Sequence, residues 1–343
     1  PVRPDILQQA TDRALRRFPT YKVAIHKGLF WRYLEPNHRP GPFVKPDIHN
    51  PCMPMYFHAD NHYLLRVYYY DRRISLECHH SLGDGTGGMC VLQTITAVYL
   101  RLLGAEIENG GFVLDVDAPP DPEELEDAYM RYANALVRPP RPAEKTWRIH
   151  GTVAPFHTLN IIDGILSVKE VNAVAKKYHA TITEYLNSVL LYALLCKQAA
   201  ESPVRLYPVR IAMPVNLRRF FPSRTLRNFI TMVYPYIDPR LGEYSFEEIV
   251  TQVHNYMRYY INEKFLRGDI TTNAATRRNP LIRVVPLFIK DIVVRTFYRK
   301  VQDRNSSAGL TNMGAVHVPE SMKPYIDRFD IYMGQPFSSR TNC

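Results

Sequence analysis

Residues 74–88, ISLECHHSLGDGTGG, force the chain to change its period within a single turn. Upstream, HYLLRVYYYDRRISLECHH alternates apolar and polar positions and turns over at Asp71–Arg73, the pattern of an antiparallel hairpin. Downstream of Gly87, the positions Met89, Val91, Leu92, Ile95, Val98, Tyr99, Leu102 and Leu103 share one face of a helix that ends near Gly104. Two adjacent histidines, an aspartate and several glycines occupy the junction. A histidine at a strand's end can project into a cleft, and glycines let the backbone turn sharply beside it.

Away from this junction the same grammar recurs. Residues 5–18 carry Ile6, Leu7, Ala10, Ala14, Leu15 and Phe18 at helical spacing, with Asp5 as candidate N-cap. YKVAIHKGLFWRYLEPN reads as two strands about a Lys-Gly turn, and a proline-rich loop follows over 36–54. Residues 116–155 are again proline-rich around one short helix over 122–137, which predicts a crossover between an N-terminal lobe (1–115) and a C-terminal lobe (156–343). In the second half, GILSVKEVNAVAKKYHATITEYLNSVLLYALLCKQ predicts a strand and two helices, with Ser167 and Glu170 as a capping box. Strands are expected at RLYPVRIAMPVNLRR and NFITMVYPYID, a helix at SFEEIVTQVHNYMRYYINEKF, and a last strand at SAGLTNMGAVHV. The apolar and basic segment 281–300, with Arg283, Lys290, Arg295 and Arg299, is expected to pack in the second lobe. A membrane surface or a long acyl chain is its functional alternative.

At 343 residues the chain exceeds the roughly 250–300 that one core serves, so two lobes are expected. No apolar run reaches the roughly 18 residues that would span a bilayer, and no apolar signal segment opens the sequence. A start at Pro1, on the approach to a helix, implies native sequence upstream. Five cysteines, odd in number and never in a CxxC pair, suit reduced thiols and a cytoplasmic location. The net charge of +10 favours anionic partners. Its basic residues are scattered and accompany no nucleic-acid-binding signature, so a phosphorylated small molecule is preferred over nucleic acid.

Three chemistries compete for the junction. Neighbouring side chains on a strand point to opposite faces, so His79 and His80 could share a metal only beyond the strand's end, and no HExxH or cysteine pair assists them. Gly83, Gly85 and Gly88 match GxGxxG, but a dinucleotide-binding strand is parallel and buried on both faces, unlike this return arm of a hairpin. General-base chemistry fits better: an imidazole titrates near neutrality, and an aspartate four positions on can turn back to hold the loop. A hydrogen-bonded structural histidine pair is the plain alternative.

The run His79-His80-Ser81-Leu82-Gly83-Asp84-Gly85 resembles, residue for residue, the HHxxxDG motif of acyl-CoA-dependent acyltransferases related to chloramphenicol acetyltransferase. That group includes condensation domains, polyketide-associated acyltransferases, wax ester synthases and alcohol acetyltransferases. Arg16-Arg17-Phe18-Pro19 lies upstream, and Pro214-Val215-Asn216-Leu217-Arg218, Leu226-Arg227-Asn228-Phe229 and Thr311-Asn312-Met313-Gly314 resemble later segments of the alcohol acetyltransferase and polyketide-associated branch. The family's first strand and the DFGWG segment of its plant branch are missing.

The resemblance implies an α/β sandwich fold of two lobes with mixed, largely antiparallel sheets and a tunnel between them. It makes His80 the general base, Asp84 a structural support partnered by an arginine, and Gly85 the residue that permits the turn. His79 supports the motif, Thr311 and Asn312 are candidate oxyanion donors, and Asn216, Arg218 and Asn228 are candidate substrate or CoA contacts. No tightly bound cofactor and no metal is expected. Acyl-CoA would be a co-substrate and an alcohol or amine the acceptor. The alternatives are a condensation-type enzyme acting on carrier-protein thioesters and a non-catalytic binding protein of the same fold. Arg218, Arg219, Arg224 and Arg227 crowd one loop, as a solvated basic face or as a cradle for CoA phosphates.

Overall fold

The computed structural model describes residues 1–134, 136, 144–152, 154–155, 158–201, 204–300, 305–334 and 342–343. The first helix, α1 (Pro4–Leu15), has Arg3 at its N-cap, two residues before the expected cap Asp5, because Pro4 lacks only an N–H that the first turn leaves unbonded anyway. Its Leu7, Ala10 and Ala14 are fully buried. Strands β1 (Val23–Lys27) and β2 (Arg32–Pro36) form the antiparallel pair read from the sequence. Strand β3 (Val44–Pro46) lies parallel to β4 (Leu65–Tyr70), which turns back into β5 (Arg73–Cys78). Helix α2 (Gly85–Leu102) follows directly and packs on α1, so that Leu7, Phe18, Val91, Ile95 and Val98 belong to one apolar core.

The proline-rich stretch holds two short helices, α3 (Pro122–Leu125) and α4 (Ala128–Tyr132), where one was expected. Glu126 is extended (ψ 151°) and breaks them, and beyond α4 the described residues 133, 134 and 136 are not helical, while 135 and 137 lie outside the described residues. Both pieces are anchored. Glu124 is buried and takes two hydrogen bonds from Arg17 (2.6 and 2.9 Å), while Ala128, Ala133 and Trp147 join a second apolar core.

That second core is built by α6 (Ile182–Glu201), β6 (Val209–Asn216), β7 (Ile230–Val233), β8 (Tyr236–Ile237), α7 (Phe246–Tyr260) and α8 (Glu263–Arg278), while α5 (Val168–Lys177) packs on α6 outside it. β7 and β8 pair antiparallel with successive stretches of β6, and β9 (Ala308–Gly309) pairs parallel with it. The sheets are thus mixed and largely antiparallel, as expected.

Several boundaries differ from the sequence reading. No strand precedes α5 among the described residues, because 161–166 is exposed and pairs with nothing that would make a ladder. Ser167 Oγ does accept from Glu170 N, but the reciprocal capping box sits at Ser245 and Glu248 instead. The single long helix expected from Ser245 is two, since Asn262 caps α8 by accepting from Phe265 N at 3.0 Å. The last strand is two residues long. Finally, α9 (Pro280–Arg283) and α10 (Leu287–Lys300) do not pack in the second core: Leu281, Val284, Phe288, Ile292 and Val293 face solvent.

Candidate active site

Strand β5 ends at Cys78, and the motif occupies the loop between it and α2. The loop is held from both sides by backbone bonds: His79 N donates to Leu64 O (2.8 Å) and Leu82 N to His79 O (3.0 Å). Asp84 ends the loop and caps α2, its Oδ1 accepting from Thr86 N and Gly87 N, which would otherwise be orphan donors of the first turn. Its other oxygen, Oδ2, leaves the motif entirely. It accepts from Arg218 Nη1 (2.7 Å) and from Phe229 N (2.9 Å).

Arg218 is the arginine that the resemblance called for. Its remaining donors reach Thr225 O (2.9 and 2.8 Å) and Arg227 O (2.7 Å), so its guanidinium is consumed inside the protein. The pair is nearly dry, with the Asp84 side chain 2% and the Arg218 side chain 12% exposed. Arg218 was expected to contact substrate; the structure turns it into the clamp between the motif and the second half of the chain. Asn228 is turned the same way, donating through Nδ2 to His80 O at 2.6 Å. Asn216 stands nearer the expected place: it lines the cleft described below, and its Nδ2 donates to Thr86 Oγ1 (3.3 Å).

The glycines of the motif have a concrete purpose. A Cβ on Gly83 or on Gly87 would overlap Tyr21 Oη and Leu226 O, because Tyr21 donates to Leu226 O exactly where the loop passes. Gly85 faces the sulfur of Met313 at 2.7 Å from an added Cβ, a softer neighbour. Tyr21, Thr86 and Phe229 N were not singled out from sequence; nothing in their spacing marks partners so far apart in the chain.

His79 and His80 both border one cleft, whereas strand alternation predicts opposite faces. The strand has already ended at Cys78, so that alternation no longer applies. They differ in what holds them. His79 Nδ1 lies 2.8 Å from Ser81 Oγ and accepts from Ser81 N, and the ring meets Phe57 edge-on. Partial burial, and secondarily the neighbouring His80, hold the His79 pKa below the ordinary imidazole value. The His80 ring is exposed and makes no hydrogen bond among the described residues.

The cleft has a volume of about 2010 Å³ and is walled by both halves of the chain. Thr311 and Asn312 line it, together with Arg219 and Phe220. Asn312 Nδ2 is occupied by Thr183 Oγ1 (2.8 Å) and its Oδ1 accepts from Gly314 N, while Thr311 N donates to Cys343 O. Among the described residues no group of three or more His, Cys, Asp or Glu is arranged to hold a metal ion.

No protein-family model matches the chain, and no curated protein matches it by sequence. Solved structures do. Polyketide synthase associated protein 5 from Mycobacterium tuberculosis superposes with a TM-score of 0.52 at 13% identity, covering 92% of this chain and 76% of that one. TRI101 from F. sporotrichioides, solved with coenzyme A and T-2, also gives 0.52, at 12% identity over 90% of this chain and 74% of that one. At this level of identity the likeness is one of fold, and the chain shares the fold of these two structures. Nearly the whole chain takes part in it, and no helix among the described residues is long and apolar enough to cross a membrane.

Proposed function

We propose that the chain is an acyltransferase that moves an acyl group from an acyl thioester, acyl-CoA in the first instance, to a hydroxyl or amine acceptor. The observation that carries this reading is a bare imidazole, His80, set in a cleft by a loop whose aspartate is committed to holding the loop in place. Asp84 cannot serve as the base itself, because its oxygens are occupied by Thr86, Gly87, Arg218 and Phe229.

In the reaction, His80 takes the proton of the acceptor as its oxygen or nitrogen attacks the thioester carbonyl. The C–S bond then breaks, and the imidazolium returns the proton to the departing thiolate. The Thr311 hydroxyl is the donor offered to the tetrahedral oxyanion, with Asn312 fixing the turn through Thr183. A cleft of 2010 Å³ exceeds the roughly 300–1,000 Å³ of an ordinary small-molecule site, which suits donor and acceptor bound together with no acyl-enzyme.

The lining also speaks to the acyl group. All of the chain's ten methionines except Met130 and Met322 border the cleft, with Met53, Met55 and Met89 from the first half opposite Met213, Met232 and Met313 from the second. Thioether side chains adapt to flexible apolar ligands, so an extended hydrocarbon acyl group is favoured.

The test is thiol release from a panel of acyl-CoAs with alcohols and amines, alongside phosphopantetheine-bound acyl carrier. Replacement His80→Ala should lower transfer by about 10²–10⁴-fold with the far-UV spectrum intact. Undiminished transfer in that variant would remove His80 from the mechanism. Turnover of the carrier thioester alone would assign the condensation-type donor.

A further inference from the structure

Helix α10 is mounted the wrong way round for a water-soluble surface. Its Lys290 and Asp291 side faces the protein: Arg32 grips Asp291 with two parallel bonds (2.7 and 2.6 Å), and Lys290 Nζ donates to Phe30 O (2.9 Å) while lying 3.5 Å from the Trp31 ring centroid. Leu287 N donates to Leu29 O, closing the joint with the β1–β2 turn. At 100° per residue, Phe288, Ile289, Ile292 and Val293 then share the opposite side. That side is open, with Phe288 66%, Ile292 65% and Val293 59% exposed. Leu29, Phe30 and Trp31 at the hairpin turn, Leu281 of α9 and Val284 just after it are exposed as well. A helix normally buries its apolar stripe and keeps its ion pairs for water; here polar groups make the joint and the stripe is left without a partner among the described residues.

The charges around this face are of one sign. Lys27, Arg283 and Arg295 are exposed, and Lys27 and Arg295 lie close enough to Asp291 for their fields to act on it. Of the acids nearby, Asp291 is answered by Arg32, and Glu35 lies 3.6 Å from His26, leaving Lys27, Arg283 and Arg295 in excess. Two copies packed face to face about a two-fold axis would set these cations against themselves. An apolar strip bearing Trp and Phe, flanked by unanswered Lys and Arg, matches instead the interfacial zone of a bilayer with anionic headgroups. We propose that the surface formed by the β1–β2 turn, α9 and α10 docks the protein, peripherally and reversibly, on anionic lipid membranes. This goes beyond the acyl-transfer reading and does not depend on it.

Flotation of the full chain with phosphatidylcholine vesicles, with and without phosphatidylserine, tests the proposal, with light scattering on the same samples. The protein should float with the phosphatidylserine vesicles and be released by salt. The double variant Phe288→Asp/Ile292→Asp, altered only at outward-facing side chains, should lose at least about tenfold of that partition with its far-UV spectrum unchanged. Arg283→Glu/Arg295→Glu should erase the preference for phosphatidylserine. Vesicle binding that neither double variant changes would overturn the proposal, as would a chain that stays in the soluble fraction. A dimer that the apolar variant makes monomeric would give the face to a second copy and overturn it too.

Discussion

Asp84 performs three jobs with two oxygens: it caps α2, pairs with Arg218 and fixes the backbone at Phe229. Its replacement by alanine leaves the Arg218 charge nearly buried and without its carboxylate. We therefore expect Asp84→Ala to cost about 3–5 kcal/mol of stability, read by urea unfolding. A loss under about 1 kcal/mol, the size of an exposed pair, would contradict the burial seen here. The motif itself was plain in the sequence, because its seven residues are contiguous and each spacing is diagnostic. The partner was not, since 134 positions separate Arg218 from Asp84 and nothing local records the contact. The sequence therefore offers Arg218 and Asn228 as substrate contacts, whereas in the structure their donors reach acceptors of the protein itself.

Among the elements, the helices with a periodic apolar face matched expectation in kind, while their boundaries moved where a capping side chain intervened, as at Asn262. The periodicity from Ser245 onward continues smoothly past Ile261, but Asn262 turns its amide to donate to Tyr259 O and accept from Phe265 N, ending one helix and starting the next. Ser245 and Glu248 exchange hydrogen bonds at the head of α7. Changing Ser245→Ala should lower stability by about 1 kcal/mol, measured as a shift in the urea midpoint at constant slope. Helix α10 shows the converse limit. The sequence marks 281–300 only as apolar and basic, which favours packing in the second lobe, but composition cannot say which side meets the protein, and the ion pair with Arg32 turns the apolar side outward.

For the molecule as a whole, the first core is built mainly by residues 6–113 and takes in Leu226 and Met322 from the later half, whereas the second draws on residues 128–310. Stability should depend on acid through Asp60, buried between Lys45 (2.5 Å) and Arg66 (2.8 Å). Burial by itself would raise its pKa, but hydrogen bonds and charge from Lys45 and Arg66 prevail and hold it below the ordinary carboxylate value. A group whose folded pKa is depressed contributes stability that is complete above the unfolded value, about 3.9, and is lost as pH falls through the folded one. Acid titration of unfolding stability should show this loss below about pH 4, and Asp60→Asn should flatten that limb. An unaltered limb would mean that other carboxylates set it.

The seam at Asp84 has a kinetic side. The loop that bears the His80 imidazole is also the strap joining the two halves, so under the proposed acyl-transfer reading any loosening of one half from the other disturbs chemistry before it melts helices. In a mild urea series, turnover should fade at concentrations where the far-UV signal is still flat. Coincident loss of both would show that the strap yields only when everything else does.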